Sequence, residues 1–310
     1  FSAPANGASI TLDQLDVTGT SSFTTAGTGS TITITNPVLG AAASFNTGAT
    51  GTVALTMPAA TLVSIGASTV DGNVTLNTDD VDFTGGNDTV AITGTLDILP
   101  VTTTREIVLG TSGAGTQLVL DDTDLDALAD GIDLITVGRT NSNANSTIDA
   151  FPISDPLYVR TPSGGVMTIS GAVVGSGDSS LWFNTGGSID HNGSLTVAGQ
   201  NILLLSTGAM DLGGNINTTG GTLRLVTGSA AGVTQSAGTI TTTDLGVRAG
   251  SIDIALNGNT YSQVAAFSSG SGNALTLDTD NALTSGSIGA DSLGLFLATS
   301  GIATTGGGDI

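Results

Sequence analysis

The chain has 310 residues, a formal net charge of −21, no cysteine and no lysine. So acidic a surface repels phosphate backbones and anionic lipids, which argues against nucleic-acid and membrane-surface partners. The lack of cysteine excludes disulfides and thiolate metal sites, and no run approaches the roughly 18 apolar residues of a membrane-spanning helix.

Residues 1–100 alternate between aliphatic residues and Thr, Ser or Asn with a period of two. This alternation predicts strands with one buried face and one face toward solvent. Turn residues such as Asp71-Gly72 and Gly85-Gly86 separate the strands. The predicted strands are 9–12, 31–35, 52–56, 73–77 and 89–93.

Residues 101–165 are less regular. The strands predicted there are 105–110, 116–120 and 132–137. Between the last two we predict a helix of one or two turns: Asp or Thr can cap its start, Leu125 and Leu128 share a face, and Gly131 ends it. Because prolines gather at 100, 152, 156 and 162, a possible structural seam is placed at 100–165.

Residues 166–310 carry short apolar peaks at steps of about seven residues, a short strand plus a turn. This ladder, clearest over 186–256, predicts strands stacked into a solenoid, and we predict that 1–310 is one continuous unit. The last residues, 304–310, resemble 218–223 with one inserted residue. Since that final repeat is unfinished, we expect either a segment of a longer repeat protein whose coils pair with further repeats or an end covered by a neighbouring copy.

Acidic turns supply the candidate metal ligands, because carboxylates, Asn and backbone carbonyls are the oxygen ligands that Ca²⁺ takes. One cluster surrounds a single degenerate copy of a calcium-binding nonapeptide at 85–90, and another begins the predicted helix. The candidate calcium ligands are Asp79, Asp80, Asp82 and Asp88 in the first cluster and Asp121, Asp122, Asp124 and Asp126 in the second. No cofactor is required; solvated turn carboxylates are the alternative to a structural calcium ion.

The residue types needed for catalysis do not gather, so we predict that the chain is not an enzyme. His191, the single histidine, lies in a predicted solvated turn without a nucleophile motif. Paired carboxylates beside an arginine could serve polysaccharide chemistry, but Arg105, Arg224 and Arg248 fall in strand patterns as single outward residues. Trp182 could form a sugar platform; core packing or a partner contact is the alternative.

Three passages are similar in sequence to known repeats: REIVLGT with LITVG within 105–138, GVTQSAGTI at 232–240 and NALTLDTDNALT at 273–284. They resemble the β-strand repeats of filamentous-haemagglutinin-like exoproteins, the two-partner-secretion and autotransporter-like bacterial adhesins. The resemblance covers 105–310 and reaches 1–100 only in composition. It implies a right-handed parallel β-helix that is exported to the bacterial cell surface or into an extracellular fibre.

The predicted fold is all-β, a right-handed parallel β-solenoid of short rungs. The alternatives are an N-terminal β-sandwich over 1–100 followed by a solenoid, or two stacked sandwiches. The expected function is that of an extracellular structural protein, a rigid rod or filament that associates end to end with copies of itself. An adhesin that binds a glycan, a host or a neighbouring cell through solenoid loops, and a polysaccharide-active β-helix enzyme, are the alternatives.

Overall fold

The computed structural model describes residues 1–39, 41–59, 61–270 and 274–305. Its parallel stacked strands form a β-solenoid of about 13 turns, and the predicted all-β solenoid is confirmed. Asn273 of the third passage and residues 306–310, the end of the last predicted turn motif, lie outside the described residues.

The chain divides into two compact units. Unit 1 comprises Phe1–Ala144 and Phe151–Tyr158, and unit 2 comprises Asn145–Ala150 and Val159–Ile310. The strands before the helix are β1 (Ser2–Ala3), β2 (Ser9–Asp13), β3 (Asp16–Val17), β4 (Ser21–Thr25), β5 (Thr31–Thr35), β6 (Val38–Leu39), β7 (Ala43–Thr47), β8 (Thr52–Thr56), β9 (Leu62–Ile65), β10 (Ser68–Val70), β11 (Val74–Asn77), β12 (Asp80–Phe83), β13 (Val90–Ile92), β14 (Thr95–Leu99), β15 (Glu106–Leu109) and β16 (Gln117–Leu120). The helix α1 spans Asp122–Ala127.

The strands after the helix are β17 (Leu134–Val137), β18 (Ser146–Ile148), β19 (Phe151–Ile153), β20 (Leu157–Thr161), β21 (Met167–Ile169), β22 (Ala172–Gly175), β23 (Leu181–Thr185), β24 (Ile189–His191), β25 (Ser194–Thr196), β26 (Ile202–Ser206), β27 (Met210–Leu212), β28 (Asn215–Val226), β29 (Gly232–Gln235), β30 (Ile240–Ala249), β31 (Ser251–Ile254), β32 (Gln263–Ser268), β33 (Leu275–Leu277), β34 (Thr284–Ser285), β35 (Ser287–Ile288), β36 (Thr299–Ser300) and β37 (Ile302–Thr304). Within the described part of the chain, no helix has the length and apolar character needed to cross a membrane.

In unit 1, strands of successive coils pair in parallel and in register, a coil being one turn of the solenoid. Ser9 pairs with Thr31, and Thr31 pairs with Thr52, so the stretch from each of these residues to its partner makes one coil. A second parallel sheet runs through β1, β4, β7, β10 and β13. The β-sandwich alternative for residues 1–100 is therefore wrong, because a sandwich is built from antiparallel strands.

The period-two pattern decides which residues form the core of unit 1. Ile32, Ile34 and Leu55 are fully buried, while the Thr residues beside them in β5 and β8 are only partly buried or exposed. The same register stacks the rings of Phe1, Phe23 and Phe45, with centroids 5.2 and 5.4 Å apart. Stacked aromatic pairs add about 0.5–1.5 kcal/mol each beyond the area they bury.

Between β14 and β17 the chain leaves the coil pattern. Thr95 pairs with Leu134, so this coil is longer than its neighbours, and the additional residues include β15, β16 and α1. The predicted short helix is confirmed, although it ends before Gly131, with Leu128 as its C-cap. Leu125 and Leu128, predicted to share a face, are both buried.

Unit 2 follows the same coil rule. Ser194 pairs with Asn215 of the next coil, and Leu223 pairs in the same way with Leu245. Buried hydroxyls at strand ends bind turn carbonyls: Ser268 Oγ, for example, lies 2.8 Å from the carbonyl oxygen of Gly250. Such bonds satisfy carbonyl groups that stacking removes from water.

A segment outside the coils is present in unit 2 at residues 286–301, which we call the insert. Strand β32 pairs with β34 up to Ser285 and with β37 from Ile302 onward. The residues between them form the antiparallel pair β35 and β36, which packs on β30 and β32. The insert therefore covers part of the outer face of the sheet.

Candidate functional site

Four of the eight predicted calcium ligands line one groove in unit 1. The groove has a volume of about 360 Å³, and its acidic residues are Asp80, Asp82, Asp121 and Asp124. Strand β12 carries the first two, and α1 with its N-cap carries the other two. We call this feature the acidic groove. Its remaining walls include the exposed loop 112–115.

Asp124 is the most perturbed carboxyl of the groove. Its Oδ1 accepts the backbone N–H of Phe83 at 2.7 Å, and its Oδ2 accepts that of Asp121 at 3.1 Å. Burial, with a smaller contribution from the charges of Asp121 and Asp82, raises the pKa of Asp124 to about 7, although both N–H donors favour the ionised form. Each oxygen of this carboxyl therefore accepts one backbone N–H.

Asp121 is the N-cap of α1. Its Oδ1 accepts the N–H groups of Thr123 and Asp124 at 2.9 and 3.2 Å and the Thr123 hydroxyl at 2.6 Å. Together Asp121 and Asp124 form a capping box. The hydrogen bond from the Thr123 hydroxyl lowers the pKa of Asp121. Neighbouring carboxyls with pKa values driven apart are a mark of acid–base sites, but here the burial of Asp124 and the Thr123 hydrogen bond to Asp121 account for the difference.

Asp80 connects two strands on the floor of the acidic groove. Its Oδ1 accepts the N–H groups of Val81 and Val119 at 3.1 and 3.3 Å. Burial raises the pKa of Asp80, while these hydrogen bonds and the charge of Arg105 oppose the rise. No three of the eight predicted aspartates, all within the described residues, come within 4.8 Å of one another. Calcium binding stays a prediction.

Asp79 lies outside the groove and is fully buried. Its two carboxylate oxygens accept the N–H and the hydroxyl of Thr102 at 2.8 and 2.6 Å. Arg105 donates from Nε to the Asp79 carbonyl oxygen at 2.8 Å and is itself buried. The prediction that Arg105 is an outward strand residue is wrong. Arg105 precedes β15, and its buried side chain links the start of that strand to the Asp79 backbone.

The remaining three predicted ligands are separate from the groove. Asp88 and Asp126 border a recess of about 190 Å³, and the N–H of Asp88 donates to the Asp126 carbonyl oxygen at 2.9 Å. Asp122 is exposed in the first turn of α1, where its negative charge suits the helix N-terminus. The eight residues thus belong to several local structures.

His191 in unit 2 is a core residue, and the prediction of a solvated turn is wrong. It ends β24 and pairs in register with Ile169 and Leu212 of the neighbouring coils. The side chain is fully buried, and neither ring nitrogen has a hydrogen-bond partner. Burial lowers the pKa of His191 to about 4, against the opposing charges of Asp190 and Asp211. The sequence does carry a signal for this burial: His191 lies two residues after Ile189, and alternate residues of a strand share a face.

Trp182 is covered by the insert and does not form an open sugar platform. It lies in β23 beside Phe183, which is fully buried, and it is itself 7% exposed. Its Nε1 donates to Asp291 Oδ2 at 3.2 Å. Because 109 residues separate these partners, local sequence patterns could not indicate the contact.

Comparison with known proteins identifies no relative: no family model, curated protein or solved structure matches the chain. The similarity of residues 105–310 to filamentous-haemagglutinin-like repeats therefore stays a prediction from sequence.

Proposed function

We propose that the chain is an extracellular structural protein of a bacterial cell surface or matrix, in which stacked coils form a rigid rod or filament. The observation that supports this most is the unbroken in-register pairing along one sheet, from β2 through β5, β8 and β11 to β14. In such a stack each coil pairs its backbone with the next and covers its apolar residues, so stability grows with coil number.

The use of the carboxyl groups supports a structural role over a catalytic one. Asp79, Asp121 and Asp124 each hold backbone N–H groups, and Asp80 ties β12 to β16. A general acid must instead reach a substrate proton at hydrogen-bond distance. The extracellular, bacterial setting is inferred from the resemblance of 105–310 to exported repeats.

Electron microscopy and fibre diffraction of the purified full chain test the proposal. We expect regular polymers with an axial reflection at about 4.8 Å, the spacing of neighbouring strands. Ile34→Asp places a charge in the core of β5 and should abolish the polymers, whereas the outward substitution Thr33→Asp in the same strand should leave them intact. Folded protein that stays as separate particles over a wide concentration range would overturn the proposal.

Adhesion is the second candidate function. The insert of unit 2 supports it, because a segment outside the coils there builds a cleft on the outer face of the sheet. Binding of the purified chain to immobilised glycans or to cells, without polymer formation, would favour adhesion over the structural role.

A further inference from the structure

The insert of unit 2 borders a cleft of about 160 Å³. The residues that line it include Trp182, Asn201, Leu203 and Arg224 from the sheet side and Ala290 and Asp291 from the insert. We infer that this cleft binds one uronic acid unit of an acidic glycan, with the sugar carboxylate on the Arg224 guanidinium. The inference goes beyond the structural role and does not depend on it.

Arg224 is held in place by the insert. Its Nε donates to the Gly289 carbonyl oxygen at 3.2 Å, and its guanidinium carbon lies 5.8 Å from the centre of the Phe296 ring. These contacts fix the plane of the group but use only one of its five N–H donors. Within the described part of the chain the terminal nitrogens have no protein partner. Arg224 therefore presents a positioned pair of donors at the cleft.

Among the described residues, the charge of Arg224 lacks a contacting counterion. The chain has 26 acidic residues, yet none among the described residues forms a direct ion pair with Arg224. Asp291 and Asp244 attract it only at longer range, while burial lowers its pKa. Asp291 is already occupied, because its oxygens accept the indole N–H of Trp182 and the backbone N–H groups of Leu293 and Phe296.

A carboxylate is the ligand group that this arrangement fits. It accepts two parallel N–H bonds from a guanidinium, which makes the pair both strong and directional. It would also supply the anion that a half-buried cation otherwise lacks. A neutral sugar would form only uncharged-acceptor hydrogen bonds with Arg224, which are weaker.

The size and the other walls of the cleft indicate a sugar ring behind the carboxylate. A volume of 160 Å³ is below the range of about 300–1,000 Å³ that encloses drug-sized ligands. Asn201 uses its Oδ1 to accept the Thr222 N–H at 3.1 Å, which leaves its amide N–H groups to donate to a sugar hydroxyl. The exposed Ala290 offers apolar surface at the cleft for the C–H face of a pyranose.

Titration of the full chain with glucuronate, glucose and acetate tests the inference, and the fluorescence of Trp182, the one tryptophan of the sequence, reports occupancy. We expect saturable binding of glucuronate at pH 7 and low salt. Glucose should bind at least about tenfold more weakly, because it cannot form the charge-assisted bonds. Acetate should also bind more weakly, because it fills little of the cleft. No saturation, or equal affinity for glucose or acetate, would overturn the inference.

Two substitutions locate the site. Arg224→Gln should weaken glucuronate binding by about tenfold or more, because it removes the charged fork. Arg248→Gln is the matched control: Arg248 also contacts the insert, through Thr299 Oγ1 at 3.0 Å, but does not line the cleft. Its affinity should be unchanged. Equal losses in both variants would show that a loosened insert is the cause and would overturn the inference.

A third variant keeps Arg224 and its bond to Gly289 intact. Ala290 is exposed at the cleft, so Ala290→Phe should fill the space and abolish glucuronate binding while the melting temperature is maintained. Full affinity in this variant would place the carboxylate elsewhere and contradict the inference.

Discussion

Units 1 and 2 share the parallel, in-register pairing of successive coils, but they differ in the hydrogen bonding of a buried titratable side chain. In unit 1, Asp124 is buried with both carboxyl oxygens bound to backbone N–H groups. In unit 2, His191 is buried with neither ring nitrogen bound. The same stacking therefore buries a hydrogen-bonded acid of the helix cap, Asp124, in unit 1 and a base without hydrogen-bond partners, His191, in unit 2.

These two side chains should contribute to the stability of their units with opposite dependences on pH. The pKa of Asp124 is raised from 3.8 to about 7, so its contribution to stability is present at low pH and is lost as pH rises through that range. The pKa of His191 is lowered from 6.5 to about 4. Between these pH values the imidazole is protonated in the unfolded chain but neutral in the folded chain. Its contribution is present above pH 6.5 and is lost as pH falls toward 4.

The largest expected effect follows from Asp124. Between pH 4 and 7 this carboxyl should lower the free energy of unfolding of unit 1 by about 3 kcal/mol as pH rises. Asp124→Asn should remove that slope, as measured by pulse proteolysis in urea with detection of unit 1 fragments. Asp122→Asn, an exposed change in the same helix, should keep it. An unchanged slope in Asp124→Asn would contradict the assignment.

His191→Leu should produce the next largest effect. Between pH 7 and 5 the wild-type unit 2 should lose about 2 kcal/mol through this residue, and the leucine variant should not. Urea unfolding followed by Trp182 fluorescence measures this in unit 2. Ile169→Leu alters the same core column without a titratable group and should retain the wild-type slope. The idea fails if His191→Leu and wild type lose equal stability on acidification.

Loss of the helix cap should have a smaller effect. Asp121→Ala removes the acceptor of two backbone N–H groups and should cost about 1 kcal/mol of stability in unit 1. Asp122→Ala, one residue later and exposed, should change the melting curve little. Similar losses in the two variants would mean that helix charge, not capping, is the contribution being measured.

Calcium should have the smallest effect. The acidic groove gathers four carboxylates without a close set of three among these described residues. A loose site with a dissociation constant of about 1 mM would add about 0.4 kcal/mol at about 1 mM calcium. Thermal melting with calcium, and then with a chelator, measures this; a shift equivalent to several kcal/mol would reveal a well-formed site and contradict this description of the groove.

The sequence predicts what depends on local pattern. The alternation at 31–35 places Ile32 and Ile34 in the core, and the aspartates before Leu125 predict a capped short helix. It does not predict what depends on distant coils. Trp182 is covered by an insert that lies far along the chain, and the apolar surroundings of His191 come from neighbouring coils.

Asp124 illustrates the same limit within the candidate site. Its acidic cluster is evident in the sequence, but its raised pKa arises from burial against β12, an earlier strand of the stack. Residue type indicated a cation ligand, whereas the fold uses both carboxyl oxygens for backbone N–H groups. Burial and hydrogen bonding, set by the stack, fix its pKa and its backbone partners, whereas its calcium binding stays a prediction.

Hydrogen exchange of the wild-type chain tests the central claim most directly. That claim is that Asp124 in unit 1 and His191 in unit 2 make stability depend on pH in opposite directions. Both units are followed in one sample by mass spectrometry between pH 4 and 7, with rates corrected for the intrinsic dependence on pH. Protection of unit 1 peptides around α1 and β12 should fall as pH rises, while that of unit 2 peptides around β24 should increase. A change in the same direction in both units would contradict the account.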